Sequence, residues 1–369
     1  MKLSCPIVDI HASWLALNPI HGCPFSCKYC FLNGVGNTKR LPNVLCSEEE
    51  AVDKLLNFEL YNSDMPLCLF TSTDIFSTKS NIEYAMNILK LFDEKNIRNP
   101  IVMITKCFIP DYFIELVDEL ESKGMKFIFM LSYSGLDSSI ERGINHDNIR
   151  NNFINLSNKG KTIIHYWRPF IPQNSNDEKL NEIINFVKKY AKASVAIGLK
   201  VQSSYIDKFD FWPEIIEKGD IAINSEAIWT KNAYEKIYNT KHFDYPIFRS
   251  TSCAISYVLN KPDYNCYYSS KICELNNCNS KQKELCKKKY ENLDTNEIDK
   301  WINNVKDLCK IDFQYELDVD NRVIFIDSSL ATSSIMYIKY FTGCDVKCNR
   351  KKDDYYWSTG HVTSKDLII

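Results

Sequence analysis

The sequence contains no apolar run able to cross a bilayer. Stretches such as Ile221-Ala222-Ile223 or Val323-Ile324-Phe325-Ile326 fall far short of the roughly 20 residues a spanning helix needs. The start, Met1-Lys2-Leu3-Ser4-Cys5-Pro6, has no apolar h-region of signal-peptide length, which predicts a cytoplasmic protein without a membrane partner. Neither sign of charge dominates. A net charge of -2 gives no global pull toward polyphosphate, so nucleic acid is not a favoured partner. Long low-complexity linkers are missing, as are internal repeats other than β-α units. What remains is an ordinary globular composition, 45% hydrophobic and 25% charged, over 369 residues. That length suits one large α/β domain and a smaller appendage.

Cysteine is abundant. Fifteen is an odd number, and nothing else marks a secreted chain, so a disulfide framework is not the expected use. In a reducing compartment such cysteines are metal ligands, catalytic groups or buried apolar fillers. Cys23, Cys27 and Cys30 crowd together, Cys253 to Cys286 form a second crowd, and Cys344 and Cys348 make a late pair. Cys68 and Cys107 sit in or beside apolar β-like runs and read as buried structural thiols.

From about residue 15 to 225 short β-rich runs alternate with amphipathic ones. Strands are predicted over 15–20, 67–71, 101–105, 126–132, 162–168 and 194–201. Helices are predicted from near Ser47 and over 81–95, 111–123, 148–158 and 177–190. Glu48-Glu49-Glu50 in a first turn and Gly124 and Gly160 at helix ends are the boundary signals. Six β-α units in series imply a parallel sheet with right-handed crossovers. Six is short of the eight of a closed TIM barrel, so the expected fold is α/β, a partial (β/α)6 TIM-like barrel spanning 1–225. Residues 226–369 are expected to form a smaller Cys-rich C-terminal domain. The Lys287-Lys288-Lys289 run there reads as a solvated helix face.

Asn18-Pro19-Ile20-His21-Gly22-Cys23-Pro24-Phe25-Ser26-Cys27-Lys28-Tyr29-Cys30-Phe31 carries the sharpest signal. Cysteines spaced C-x3-C-x2-C can take three corners of a cubane from one loop and leave the fourth iron without a protein ligand. An open position is what a chemically active metal site needs. The alternative is a zinc knuckle, for which His21 is the local fourth ligand.

At these residues the chain resembles the radical S-adenosylmethionine (SAM) superfamily, whose signature is C-x3-C-x-aromatic-C with Tyr29 as the aromatic. The resemblance implies that the amino and carboxylate groups of SAM chelate the fourth iron, with Tyr29 or its backbone beside the adenine. An electron then breaks the sulfonium bond, and the 5′-deoxyadenosyl radical removes hydrogen from a substrate. It further implies a reductant such as flavodoxin or ferredoxin. Ligands of open α/β sheets sit at the carboxyl ends of strands. There the resemblance assigns Asp74, in Thr71-Ser72-Thr73-Asp74, to the SAM ammonium, Ser132 and Ser134 to the ribose, and Arg168 to the carboxylate. Asp74 reads equally as an N-cap or turn residue. Arg142 and Lys106 are weaker carboxylate or substrate candidates, with solvated ion pairing as the plainer reading. Gly198 either admits adenine close to the backbone or packs against a helix.

Within the superfamily the pattern is similar to the spore photoproduct lyase-related group over roughly residues 13–200. The shared pieces are the Asn-Pro-x-x-Gly-Cys start, Thr73-Asp74, Thr105-Lys106 and Arg168-Pro169-x-Ile171-Pro172. Two departures separate the chain from the lesion-repair lyases. Thr71-Ser72-Thr73 stands where their hydrogen-donating cysteine is expected, and they lack a Cys-rich C-terminal segment like this one.

Cys253, Cys266, Cys273, Cys278 and Cys286 fall within 34 residues. A closed site of Cys253, Cys273, Cys278 and Cys286, with Cys266 in reserve, is the economical reading. The resemblance to radical SAM enzymes with auxiliary clusters favours a second [4Fe-4S] cluster, with zinc or free thiols as alternatives. Cys344 and Cys348 stay unassigned. The expected activity is radical chemistry on a peptide or small metabolite. The alternatives are a non-enzymatic iron-sulfur or zinc redox sensor on the same fold, and a nucleic-acid-modifying radical SAM enzyme.

Overall fold

The computed structural model describes residues 6–239, 244–265, 268, 270–349 and 366–369, so Cys5 and Cys266 lie outside the described residues. Its helices begin where the sequence supplies a side-chain acceptor for their first free N–H groups. Ser47 Oγ accepts from Glu50 N at 3.2 Å to open α1 (Glu48–Leu56), whose first turn holds three glutamates. Thr78 opens α2 (Lys79–Glu94), Asn145 opens α4 (His146–Asn158) and Asn176 opens α5 (Asp177–Val187), while α3 (Asp111–Ser122) starts after Pro110. Two of these starts precede the predicted ones by two residues, because Thr78 and Asn145 act as the caps. Gly124 at φ +91° and Gly160 at φ +68° adopt the left-handed backbone that follows α3 and α4.

Among the described residues the helices surround an eight-stranded sheet. In order across it stand β1 (Val8–His11), β2 (Trp14–Leu17), β3 (Leu67–Leu69), β4 (Ile101–Thr105), β5 (Phe127–Leu131), β6 (Ile163–Trp167), β7 (Ala193–Ala196) and β8 (Ile247–Phe248). β1 pairs antiparallel with β2, and every later neighbour is parallel, with registers such as Leu67↔Ile101, Ile101↔Phe127 and Ile164↔Ala193. The six predicted strands are all present, although most are shorter. Two edge strands were not predicted. β1 hides in a four-residue run beside a tight turn, and β8 has only two residues, too few to show an alternation. β8 with the following helix α6 (Thr251–Leu259) makes a seventh β-α unit, drawn from beyond residue 225. β1 and β8 are the two ends of the pairing order, so the sheet is open.

Both faces of the sheet are buried, as expected for parallel strands. Leu15, Leu67, Met103 and Phe129 point into the core shared with α1 to α5. The alternate residues, Ala16, Cys68, Val102, Met130, Ile164 and Val195, form a second core with Cys253, Ala254 and Ile255 of α6. Cys68 is therefore a buried filler, as its apolar run suggested. The chain end returns to the same body: Leu367–Ile368 pairs parallel with Ile228–Trp229, and Asp366 grips Arg249, just after β8, at 2.6 and 3.1 Å in a buried ion pair. Among the described residues no helix is long and apolar enough to cross a membrane.

Candidate functional site

The cysteine loop follows β2 and lies over the carboxyl ends of the strands. Asn18 ties it to the end of β3, its Oδ1 accepting from Thr71 N at 2.7 Å and Thr71 Oγ1 at 3.0 Å. Gly22 is held from both sides, Thr73 Oγ1 donating to its carbonyl at 2.5 Å and its own N–H donating to Ser72 O at 3.2 Å. A side chain would not fit at Gly22: φ is +102°, and a Cβ would stand 3.0 Å from Leu41 O. Asn33 braces the loop from within, donating to Cys27 O at 3.0 Å and Lys28 O at 3.2 Å. On the far side Ser26–Cys27 pairs antiparallel with Glu141–Arg142.

That pairing brings in a residue the sequence did not single out. The Glu141 side chain is fully buried, and its carboxylate accepts from Lys106 Nζ at 2.8 Å and from the Tyr29 hydroxyl. His146 Nε2 lies 2.7 Å from the other oxygen and must carry its proton to bond there, since a carboxylate only accepts. Burial alone would raise the Glu141 pKa. The Lys106 charge and the bonds from His146, Lys106 and Tyr29 outweigh it and bring the group to about 2. Lys106 also donates to Ser132 O at 2.9 Å and is largely buried, so its predicted solvated pairing is replaced by a buried one that links β4, β5 and the cysteine loop. Arg142, its companion in that reading, is exposed. No motif could have announced Glu141, because two of its three partners, Lys106 and Tyr29, lie 35 and 112 residues away.

Cys23, Cys27 and Cys30 are brought together, each half-buried or buried, with Cys30 acting electrostatically on Cys23 and both of these on Cys27. Burial drives the Cys23 thiol up to about 12, with Asp74 and Cys30 adding to it. Burial also raises Cys27 and Cys30, the latter tempered by Lys106 and Arg168. Thiols so placed become thiolates only if a cation joins them, and iron meets that need. An amide donor, Asn18 Nδ2, is buried without an acceptor among the described residues beside the same loop. The donor set and its electrostatics thus fit an iron-sulfur cluster.

The residues predicted for SAM occupy one rim, at the ends of β3, β5 and β6. Asp74 is buried, its Oδ1 accepting from Thr105 Oγ1 at 2.8 Å and Phe76 N at 3.0 Å, and its Oδ2 from Lys106 N at 2.8 Å. Three of about four acceptor positions are thereby used. Burial raises its pKa. The Ser132 hydroxyl has no bond within the described chain, whereas Ser134 Oγ accepts from Leu136 N at 3.2 Å in a fully buried turn. Arg168 is half-buried, donates to Tyr166 Oη at 3.3 Å, and its charge reaches Cys30, Lys200 and Tyr205. The Tyr29 hydroxyl is committed to Glu141. Gly198 packs against a strand and not a helix: a Cβ there would fall 2.3 Å from Ile228 O. Beside the loop a cavity of about 320 Å³ is walled by Phe25, Phe76, Phe108 and Tyr112, with Lys106 and Cys107 at its edge. Cys107 is buried in the core, as its apolar neighbourhood suggested, and burial together with the nearby Asp74 charge raises its thiol pKa.

Cys253, Cys273, Cys278 and Cys286 also approach one another, as their mutual charge effects show. Their sulfurs collect N–H donors. Asp263 N lies 3.4 Å and Gln282 Nε2 3.5 Å from Cys286 Sγ, and Asn276 Nδ2 lies 3.4 Å from Cys253 Sγ. Among the described residues no three His, Cys, Asp or Glu side chains gather tightly enough to hold a single metal ion. A cubane spreads its thiolates over separate irons and asks for a looser crowd. Cys344 is buried near Thr342, and Cys348 ends the strand Asp345–Cys348.

No family model and no curated protein matches the sequence. Solved structures do. SuiB of Streptococcus suis bound to S-adenosylmethionine matches at 14% identity and a TM-score of 0.41, over 55% of this chain and 46% of that one. Spore photoproduct lyase complexed with dinucleoside spore photoproduct matches at 12% identity and 0.42, over 55% and 60%. SuiB bound to precursor peptide SuiA matches at 15% and 0.41, over 52% and 40%. The chain spans about half the length of these structures.

Proposed function

We propose that this chain is a radical SAM enzyme acting on a peptide or small metabolite. The observation that carries the reading is the cysteine triad: three buried or half-buried thiols from a C-x3-C-x2-C loop, fixed over the carboxyl ends of an open parallel sheet. Cys23, Cys27 and Cys30 would hold a [4Fe-4S] cluster with one iron left to SAM. When bound, that cluster supplies the electron that cleaves the sulfonium bond reductively. The chain's own work is to place the reactants. Glu141 and Asn33 fix the loop, Arg168 offers a guanidinium to the SAM carboxylate, Ser132 offers a free hydroxyl to the ribose, and Asp74 offers its remaining acceptor position to the ammonium. Tyr29 would lie by the adenine through its ring or backbone, since its hydroxyl is occupied. Ser134, enclosed in its turn, serves the ribose only by shaping Ser132. The apolar walls beside the loop exclude water from the reacting centre.

Cys253, Cys273, Cys278 and Cys286 would hold a second [4Fe-4S] cluster, supported by the N–H donors directed at Cys253 and Cys286, which stabilise thiolates. The test of the main reading is direct. Anaerobically reconstituted, reduced protein should convert SAM to 5′-deoxyadenosine, and single Cys23→Ala, Cys27→Ala or Cys30→Ala proteins should not. Undiminished 5′-deoxyadenosine from any of these variants refutes it. A parent protein that binds iron yet never cleaves SAM would point to the sensor alternative.

A further inference from the structure

The cavity of about 320 Å³ beside the cysteine loop is walled by four aromatic rings drawn from three parts of the chain. Phe25 comes from the loop itself, between Cys23 and Cys27, Phe76 from the segment after β3, and Phe108 and Tyr112 from the passage between β4 and α3. Two of the walls are fixed. Lys39 N donates to Phe25 O at 3.0 Å, and Gly143, at φ +90°, brings its backbone so close that a Cβ there would stand 3.0 Å from Phe25 Cδ1. Phe76 is buried, with the Phe113 ring edge-on behind it at 4.9 Å between centroids. Phe108 and Tyr112, by contrast, are 44% and 45% exposed, which leaves aromatic surface in water at the cavity's edge. Among the described residues no carboxylate lines the cavity, and its one charged group, Lys106, is already committed to Glu141 at 2.8 Å and Ser132 O at 2.9 Å. The Asn148 side-chain amide and the Tyr112 hydroxyl, also in the lining, make no hydrogen bond among the described residues.

Building on the radical SAM reading with a peptide substrate, we propose that this cavity takes an aromatic side chain of that peptide and anchors it beside the cysteine loop. Size comes first. Ligand pockets run from roughly 300 to 1,000 Å³, so this one stands at the small end and suits a single ring. Charge comes next. A charged side chain would lose its water here without gaining a counter-ion, because the only lining cation is already paired. The walls then favour a ring over an aliphatic chain, since offset or edge-on aromatic pairs gain energy beyond the area they bury. At the edge, the Asn148 amide offers a donor and an acceptor, the complement of a peptide group, and Tyr112 adds a hydroxyl. With Lys106 committed, no lining cation is left for a phosphate, which separates this occupant from a nucleotide. The cavity changes no bond itself. It holds one side chain so that the neighbouring part of the peptide is positioned for reaction.

The test measures equilibrium dialysis of radiolabelled, capped tripeptides against the reconstituted protein, without SAM. The probes are acetyl-Gly-Phe-Gly-amide and its counterparts with leucine or glutamate in the middle. The phenylalanine peptide should bind about threefold tighter than the leucine one and about tenfold tighter than the glutamate one. Removing the two exposed walls together, Phe108→Ala with Tyr112→Ala, should weaken the phenylalanine peptide about tenfold. Exchanging them, Phe108→Tyr with Tyr112→Phe, keeps both rings and should hold affinity within about threefold of the parent. Equal affinity for the three peptides overturns the proposal. So does parent-like binding in the alanine variant, or an equal loss in the exchanged one, which would reduce the effect to altered folding. Cytidine monophosphate bound more tightly than the peptide, and lost in the alanine variant, would give the cavity to a nucleobase and also overturn it. The two readings fail separately. A parent protein that forms no 5′-deoxyadenosine, yet binds the peptides in this order, sinks the radical SAM reading alone, whereas SAM cleavage with no preference among the peptides sinks only the cavity.

Discussion

Replacing Glu141 with alanine removes the one carboxylate that Lys106, His146 and Tyr29 share. Lys106 would keep its bond to Ser132 O but lose its counter-charge while still mostly buried, and breaking a buried pair in this way costs about 3–5 kcal/mol. The loss should appear as a lowered urea midpoint in tryptophan fluorescence. Lys106→Met alone would strand Glu141 instead. The double variant leaves neither charge buried, so the two changes should be non-additive by about 2 kcal/mol. Because Glu141 pairs with Cys27 through the backbone and with Tyr29 through its side chain, the single variant should also take up less iron on reconstitution. A cost below about 1 kcal/mol, the scale of a surface pair, with full iron uptake would refute the clamp.

Arg168→Ala should weaken SAM binding about ten- to a hundredfold by calorimetry without loss of iron, as expected for one charge-assisted hydrogen bond. Asp74→Ala should weaken it too and also lower stability, since three internal bonds go with the carboxylate; parent-like SAM affinity in both variants would remove these residues from the cradle. Reconstituted protein should hold about eight irons, and a Cys23, Cys27 and Cys30 triple alanine variant about half of that, with a spectrum indifferent to SAM. A colourless triple variant with one zinc would make the second site a structural clip, and one with no metal would abolish it. His165 is fully buried, 2.8 Å from both Ser194 Oγ and Tyr133 O, and burial pushes its pKa down to about 3. A depressed histidine pKa leaves its stability intact above pH ~6.5 and removes up to about 1.4 kcal/mol per unit as pH falls toward 3. His165→Gln should therefore flatten the acid limb of urea midpoints measured between pH 7 and 5, and an unchanged slope would show that His165 is not the group responsible.

The sequence by itself determined the β-α alternation, because a 3.6-residue apolar period, capping residues and terminal glycines act locally. Ser47, Gly124 and Gly160 mark helix boundaries by chemistry that needs no distant partner. The cysteine loop was equally legible, since three ligands in eight residues carry their own spacing. Only the tertiary structure decided which residues support that loop. Glu141 is one of many acids in the sequence and becomes the centre of the site because β4, β5 and the loop converge on it. Lys106 looked like a solvated cation for the same reason. Cys107 is the buried filler its apolar run suggested, and only the fold sets it beside Asp74. β8 is defined by its pairing of Ile247 with Ser194, and the Arg249–Asp366 pair joins residues 117 positions apart, so the energy of each depends on burial and alignment that no local pattern encodes.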